Sequence, residues 1–140
     1  MKKILIIFSL IISVVFAQNC DEDTHSVNIT DSWLSCDVAT NPNTARGNTH
    51  WVMYDLGYMY QLKETTFWNF NQSGQTNNGM KNIVIDYSND GITWQEAATF
   101  QLSEANGTSN YTGEDGPNLS GIEARYILIT ALDTWGGTCA

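Results

Sequence analysis

Residues 81–94 read KNIVIDYSNDGITW, and this stretch decides the fold. Ile83, Ile85 and Tyr87 alternate with Val84 and Asp86, the two-residue period of a strand whose side chains leave on opposite faces. Ser88-Asn89-Asp90-Gly91 follows as a tight turn, Asp-Gly supplying the positive φ angles of a hairpin, and residues 92–94 bring the chain back. The same grammar extends outward in both directions. Residues 50–56 alternate aromatic, aliphatic and polar positions and stop at Gly57. Residues 58–70 form a long run of Thr, Phe, Trp and Tyr suited to a half-buried pleated surface. Residues 71–79 (NQSGQTNNG) have no apolar anchor and read as a loop. A short strand at 97–102, a polar loop at 103–121 and a strong strand at 125–132 (RYILITAL) complete the pass. From Trp51 onward nothing holds helical spacing for ten residues, and no repeat or low-complexity linker appears. Short strands, glycine turns and no helix give an all-β sandwich.

The 140 residues suit one domain. Lys2 and Lys3, the apolar run 4–16 and Val15-Phe16-Ala17 make residues 1–17 an expected export signal, leaving 18–140 as the domain. The run is shorter than the ~20 residues a membrane-spanning helix needs. Asn19 is not the small residue found before a lipidated cysteine, so Cys20 is not expected to carry a lipid. The mature chain has four cations, Arg46, Lys63, Lys81 and Arg125, against fifteen acids, a net charge of −11. So few cations exclude a nucleic-acid footprint and charge-driven docking on anionic lipid. Five tryptophans and six tyrosines can build a core, which argues against disorder. The expectation is a secreted, acidic, globular domain.

Cys20, Cys36 and Cys139 are an odd set, so in an oxidising compartment one stays free or pairs elsewhere. No two have C-x-x-C spacing and neither His25 nor His50 lies near them in sequence, so a zinc site is not expected. No nucleophile elbow, H-E-x-x-H or phosphate loop occurs. Asp21-Glu22-Asp23 and Glu114-Asp115 read as solvated surface rather than a catalytic pair, and no enzymatic activity is expected. Glycosylation triplets stand at Asn28, Asn71, Asn106, Asn110 and Asn118, all assigned to loops.

Three motifs carry a family resemblance. Trp51-Val52-Met53-Tyr54-Asp55-Leu56-Gly57 resembles the W-x-x-x-D-L-G strand of discoidin domains, also called coagulation-factor type C domains. Their bacterial relatives include the family-32 carbohydrate-binding modules. Residues 87–94 (YSNDGITW) are similar to that family's Y-S-x-D-G-x-x-W hairpin, and residues 124–129 (ARYILI) to its A-R-Y-V-R-I strand, in the same order. The resemblance covers residues 31–140 and implies an antiparallel jelly-roll β-sandwich. Trp51, Ile83, Ile85, Tyr87, Trp94, Tyr126 and Leu128 are its expected core. Arg125 is expected on the sheet, with Asp55 as a candidate partner. Family members add a final strand ending in G-L-x-E-I. Here the sequence reads GGTCA at 136–140, so the expectation is a sandwich lacking that strand, through truncation or true absence.

The resemblance also implies a structural Ca²⁺ in the loop before the D-L-G strand. Residues 30–37 (TDSWLSCD) offer the carboxylates of Asp31 and Asp37 with three hydroxyls, in the oxygen chemistry calcium takes. Asp31-Ser32 replaces the family's Asp-Gly, and the closing glutamate of the final strand has no counterpart. The alternative is a plain turn capped by Asp31. In resembling domains the chain before the final strand passes the calcium loop, which implies a Cys36–Cys139 disulfide with Cys20 spare; Cys20–Cys36 is the alternative. Sugars are held by an aromatic face with amides or a guanidinium on the hydroxyls. Trp33, Trp68 and Trp135, with Asn69, Asn71 and Arg46, are the expected ligand-binding set. A neutral or basic glycan suits the charge better than an acidic one. The function expected is a secreted, non-catalytic, lectin-like module. The rivals are an adhesive or structural domain with a protein partner, and a fragment of a larger glycosidase.

Overall fold

The computed structural model describes residues 26–140; the expected leader, Cys20 and His25 lie outside them. Seven strands form, β1 (Ala39–Thr40), β2 (Asn48–Gln61), β3 (Thr66–Phe67), β4 (Asn82–Ser88), β5 (Gln95–Gln101), β6 (Glu114–Asp115) and β7 (Glu123–Ala131). Five make one antiparallel sheet in the order β1-β2-β7-β4-β5, and β3 pairs with β6 in a second, two-stranded sheet. The antiparallel all-β architecture agrees with the expectation.

The inner face of the large sheet carries rows such as Val52–Ile129–Ile85–Ala98 in direct register. Ile83, Ile85, Leu102 and Leu119 are the buried centre, with Phe67, Met80, Phe100, Ile127 and Ile129 packed around them. Phe67 stacks on Phe100 at 6.4 Å between ring centres. Each such aliphatic side chain stabilises the fold by about 1.5–3 kcal/mol on burial.

The opposite face is equally dry at its middle, which simple alternation does not anticipate. Val84, Asp86, Leu128 and Thr130 are all wholly buried. The loop at 41–47 reaches over them. Asn41 donates to the Thr130 hydroxyl at 2.8 Å and to that of Thr49 at 3.0 Å. Asn43 caps the short 3-10 turn Thr44–Arg46, and Gly47, at φ 69°, ends it. That turn aims Arg46 at Asp86. Of the expected core, Ile83, Ile85 and Leu128 are buried, whereas Trp51, Tyr87, Trp94 and Tyr126 are half-buried.

Three local expectations are corrected. Gly57 does not end its strand: β2 runs on to Gln61 through an irregularity between Asp55 and Tyr60, where Gly57 adopts φ 80° and its N–H donates to Asp55 Oδ1 at 2.8 Å. Residues 58–70 are therefore not one strand; they divide between the end of β2 and the short β3. The β4–β5 connection is not a two-residue turn, since Asp90 keeps a negative φ and only Gly91 is positive. Instead the Asp90 carboxylate organises a longer loop, accepting from the backbone of Ile92 and Thr93 at 2.8 and 2.7 Å and from the Ser88 hydroxyl at 2.9 Å.

Cys36 and Cys139 are joined by a disulfide. Beside it, Ser35 and Ala140 exchange both backbone hydrogen bonds, at 2.6 and 2.8 Å.

Candidate ligand-binding site

The two-stranded sheet covers only part of the inner face, and the remainder lies open as a cleft. Its mouth, of about 270 Å³, is lined by Asp31, Ser32, Trp33, Trp68, Asn69, Phe70 and Ala140, among others. A second hollow of about 500 Å³ lies over Thr65, Thr66, Ile85, Leu119 and Ile127. Tyr54, Phe67, Trp68 and Ile129 line both. Trp33 is 41% exposed and Tyr54 51%. The second hollow is mainly aliphatic and aromatic, with Thr65 and Thr66 as its hydroxyl-bearing residues beside Tyr54.

The structure brings Trp33, Trp68 and Asn69 to this cleft, with Asp31 of the expected metal pair, and leaves Asn71, Arg46 and Trp135 elsewhere. The Asn69 amide is already engaged: its nitrogen donates to the carbonyls of Met80 at 2.7 Å and Ser103 at 2.9 Å, and its oxygen accepts from Phe70 N–H. Asn71 is wholly buried, bonding Thr108 carbonyl and Gly107 N–H, each at 2.8 Å. Both asparagines pin loops together. Arg46 lies on the opposite face of the large sheet. Its Nε and Nη2 grip Asp86 at 3.0 and 2.7 Å, and Nη2 also reaches Glu96 at 2.8 Å. Trp135 is half-buried with the Lys81 ammonium 4.9 Å above its ring, a cation–π contact on one face. Tyr54 and Phe67 are cleft residues that the sequence reading left out. Tyr54 was legible in principle, because it shares the β2 parity of Val52 and opposes Ile127.

Carboxylates with displaced acidity sit outside the cleft. Asp55 is held down to about 2, first by the Arg125 guanidinium, at 2.8 and 2.9 Å, then by the Gly57 N–H. Asp55, the candidate partner of Arg125, thus pairs with it, and the pair is exposed rather than buried. The backbone N–H groups of Thr93 and Ile92 lower Asp90, and the Asn82 side chain and backbone lower Asp133. Burial raises the Tyr111 phenol, whose oxygen accepts from Asn69 N–H at 3.2 Å.

Asp31 accepts from the Thr30 hydroxyl at 3.3 Å, and the Asp37 carbonyl from the Ser35 hydroxyl at 3.0 Å. Among the described residues no three Asp, Glu, His or Cys side chains gather as metal ligands. Two carboxylates fall short of the six to eight oxygens calcium takes, so any ion there would need main-chain and hydroxyl oxygens for the rest.

Among the described residues no helix is long and apolar enough to cross a membrane. No curated protein matches the sequence. Two solved structures share the fold, each with a TM-score of 0.50. One is CpGH89CBM32-5 from Clostridium perfringens, solved in complex with GalNAc-beta-1,3-galactose; it is 15% identical over 69% of this chain and 64% of that one. The other is CBM32-3 from a family 31 glycoside hydrolase of the same organism, 20% identical over 73% of this chain and 62% of that one. The chain thus spans a little under two thirds of the length of both structures. The F5/8 type C domain model matches residues 20–140. With that match, and with the sheet order and hairpin described above, the chain belongs to the F5/8 type C domain family.

Proposed function

We propose that this domain is an exported, non-catalytic carbohydrate-binding module whose site is the mouth of the cleft. The observation that carries this reading is Trp33, 41% exposed at a cleft mouth that Asp31 and Ser32 also line. A broad rigid ring covers the C–H face of a sugar with little rotamer entropy to lose, while Ser32 offers a hydroxyl to the sugar's own. Trp68 lines the same mouth, and Asn69 shapes the wall through its bonds to the backbone. The net charge of −9 favours a neutral or basic glycan. A structural calcium on Asp31 and Asp37, completed by main-chain and hydroxyl oxygens, belongs to the same reading; melting with and without chelator tests it. Both similar structures are described as carbohydrate-binding modules, one of them from a glycoside hydrolase, which favours a second reading in which this domain serves as a module of a larger glycosidase.

A glycan array followed by titration is the test. A monovalent Kd of about 0.1–1 mM is expected, some −4 to −5.5 kcal/mol. Trp33→Ala should abolish it while melting falls far less than for a core aromatic, because the residue is 41% exposed and lies outside the buried core. A Trp33→Ala variant that binds as well as the parent, or an array without a hit, overturns the reading.

A further inference from the structure

We propose that Asn106 is a self-modification site: its side-chain amide closes onto the backbone nitrogen of Gly107 and leaves as ammonia, while Thr108 holds the reacting oxygen. The Asn106 amide oxygen accepts from the Thr108 N–H at 2.9 Å and from the Thr108 hydroxyl at 2.7 Å. The first bond folds the side chain over its own backbone, closing a small ring that contains both the amide carbon and the Gly107 nitrogen. Together the two donors stand where negative charge develops on that oxygen as the nitrogen attacks. The hydroxyl also lies against Asn110 Oδ1, which competes for its proton, whereas the N–H stays on Asn106.

The other asparagines each lack one part of this arrangement. Asn28, Asn43 and Asn118 make the same bond to the N–H two residues on, at 3.2, 3.2 and 2.8 Å. They are followed by Ile29, Thr44 and Leu119, whose β-carbons crowd the attacking nitrogen. Asn41 makes it too, at 2.8 Å, but Pro42 follows, and its nitrogen has no proton to give up. Besides Asn106, only Asn78 is followed by glycine. Asn78 closes the short 3-10 turn Thr76–Asn78, where side chains lean back from the nitrogen that follows. The Gly79 N–H is bound to the Thr76 carbonyl at 2.8 Å, and the Asn78 oxygen accepts from Cys139 N–H at 3.3 Å.

The bond formed joins Gly107 N to Asn106 Cγ. The bond broken is Cγ–Nδ2, and the nitrogen departs as ammonia with the proton from Gly107. Water then opens the cyclic imide at one carbonyl or the other, leaving aspartate or isoaspartate at position 106. One restraint acts on the nucleophile: Gly107, at φ 71°, donates its N–H to the buried Asn71 Oδ1 at 2.8 Å. Attack therefore waits on local opening of this loop. Either product adds a negative charge, and isoaspartate also lengthens the backbone just before Gly107. Asn71 holds the loop through Gly107 N–H and the Thr108 carbonyl, so conversion loosens that anchor irreversibly. None of these residues lines the cleft mouth, and the sugar reading is independent of this chemistry.

The test is timed incubation of the folded protein in mildly alkaline heavy-oxygen water, followed by peptide mapping and enzymatic methylation of isoaspartate. Asn106 should convert about tenfold faster than Asn78. In urea the turn is lost, and the two Asn-Gly pairs should react within about twofold of each other. Thr108→Ala, a change at an exposed position, should slow Asn106 about threefold or more, and Thr108→Ser, which keeps the hydroxyl, should restore the parent's rate. Asn78 converting as fast as Asn106 in the folded protein, or an unchanged Asn106, overturns the proposal. So does a preference for Asn106 that persists in urea, which would trace to sequence alone, or equal rates in the Thr108→Ala and Thr108→Ser proteins.

Discussion

Replacing Arg46 with alanine should destabilise the protein far more than it disturbs any ligand. The Asp86 side chain has no exposure, while that of Arg46 has 22%, and two hydrogen bonds tie them at 3.0 and 2.7 Å. Deleting the guanidinium leaves a carboxylate in the sheet's buried face with its principal counter-charge gone. Breaking a buried pair from one side typically costs about 3–5 kcal/mol. An unfolding entropy of about 2.1 cal/mol/K per residue over roughly 115 residues makes each kcal/mol worth about 4 °C, so Tm should fall by about 12–20 °C. Arg46→Lys keeps the charge but not the fork, and should lose about 1–2 kcal/mol. Glu96→Gln touches the half-exposed third member and should stay within about 0.5 kcal/mol. Calorimetry on the three variants and the parent checks the order. An Arg46→Ala protein melting within about 2 °C of the parent, or a Glu96→Gln protein worse than Arg46→Ala, would refute the reasoning.

Reducing the Cys36–Cys139 bridge, which closes a separation of 103 residues, should remove about 4.7 kcal/mol by the chain-entropy relation; a urea midpoint unchanged by reductant would contradict this. Stability should fall on acidification. Asp55, Asp90 and Asp133 all have folded pKa values below the unfolded value of about 3.9, so their contribution is complete above that pH and is lost as pH falls toward about 2. Urea midpoints that do not decline between about pH 5 and about pH 2 would show these bonds are not made. Asn69→Ala should cost about 1–3 kcal/mol, since it strips the amide from two backbone carbonyls; its melting point should fall even in a protein that never meets a ligand.

The alternation in residues 83–87 and the motifs at Trp51 and Arg125 were enough to read an antiparallel sandwich, because strand period and turn chemistry are local. What the sequence hid was the second buried face. Asp86 looks like a solvent-side residue until a loop forty positions away delivers Arg46 to it, and nothing local encodes that meeting. The same limit explains the site. Asn69 and Asn71 read as ligand amides because a loop asparagine has the same letter whether it faces a sugar or a carbonyl. Trp33 and Trp68, which line the cleft, stand out in the sequence because a tryptophan among polar neighbours is anomalous in any strand. Tyr54 belongs to an ordinary strand, and nothing in its local sequence marks it as a cleft residue.

The bridge between Cys36 and Cys139 has a mechanical meaning. A pull applied along the polypeptide, before residue 36 and beyond residue 139, travels through the sulfur–sulfur bond and bypasses both sheets. The enclosed chain, which would pay out about 340–370 Å if drawn straight at 3.3–3.6 Å per residue, stays slack while the bond holds. Single-molecule stretching of the oxidised domain should therefore show almost no added contour length, and the reduced domain nearly all of it. A module that holds an extracellular ligand under tension would keep its cleft in shape through a covalent bypass, independent of how firmly its strands are paired.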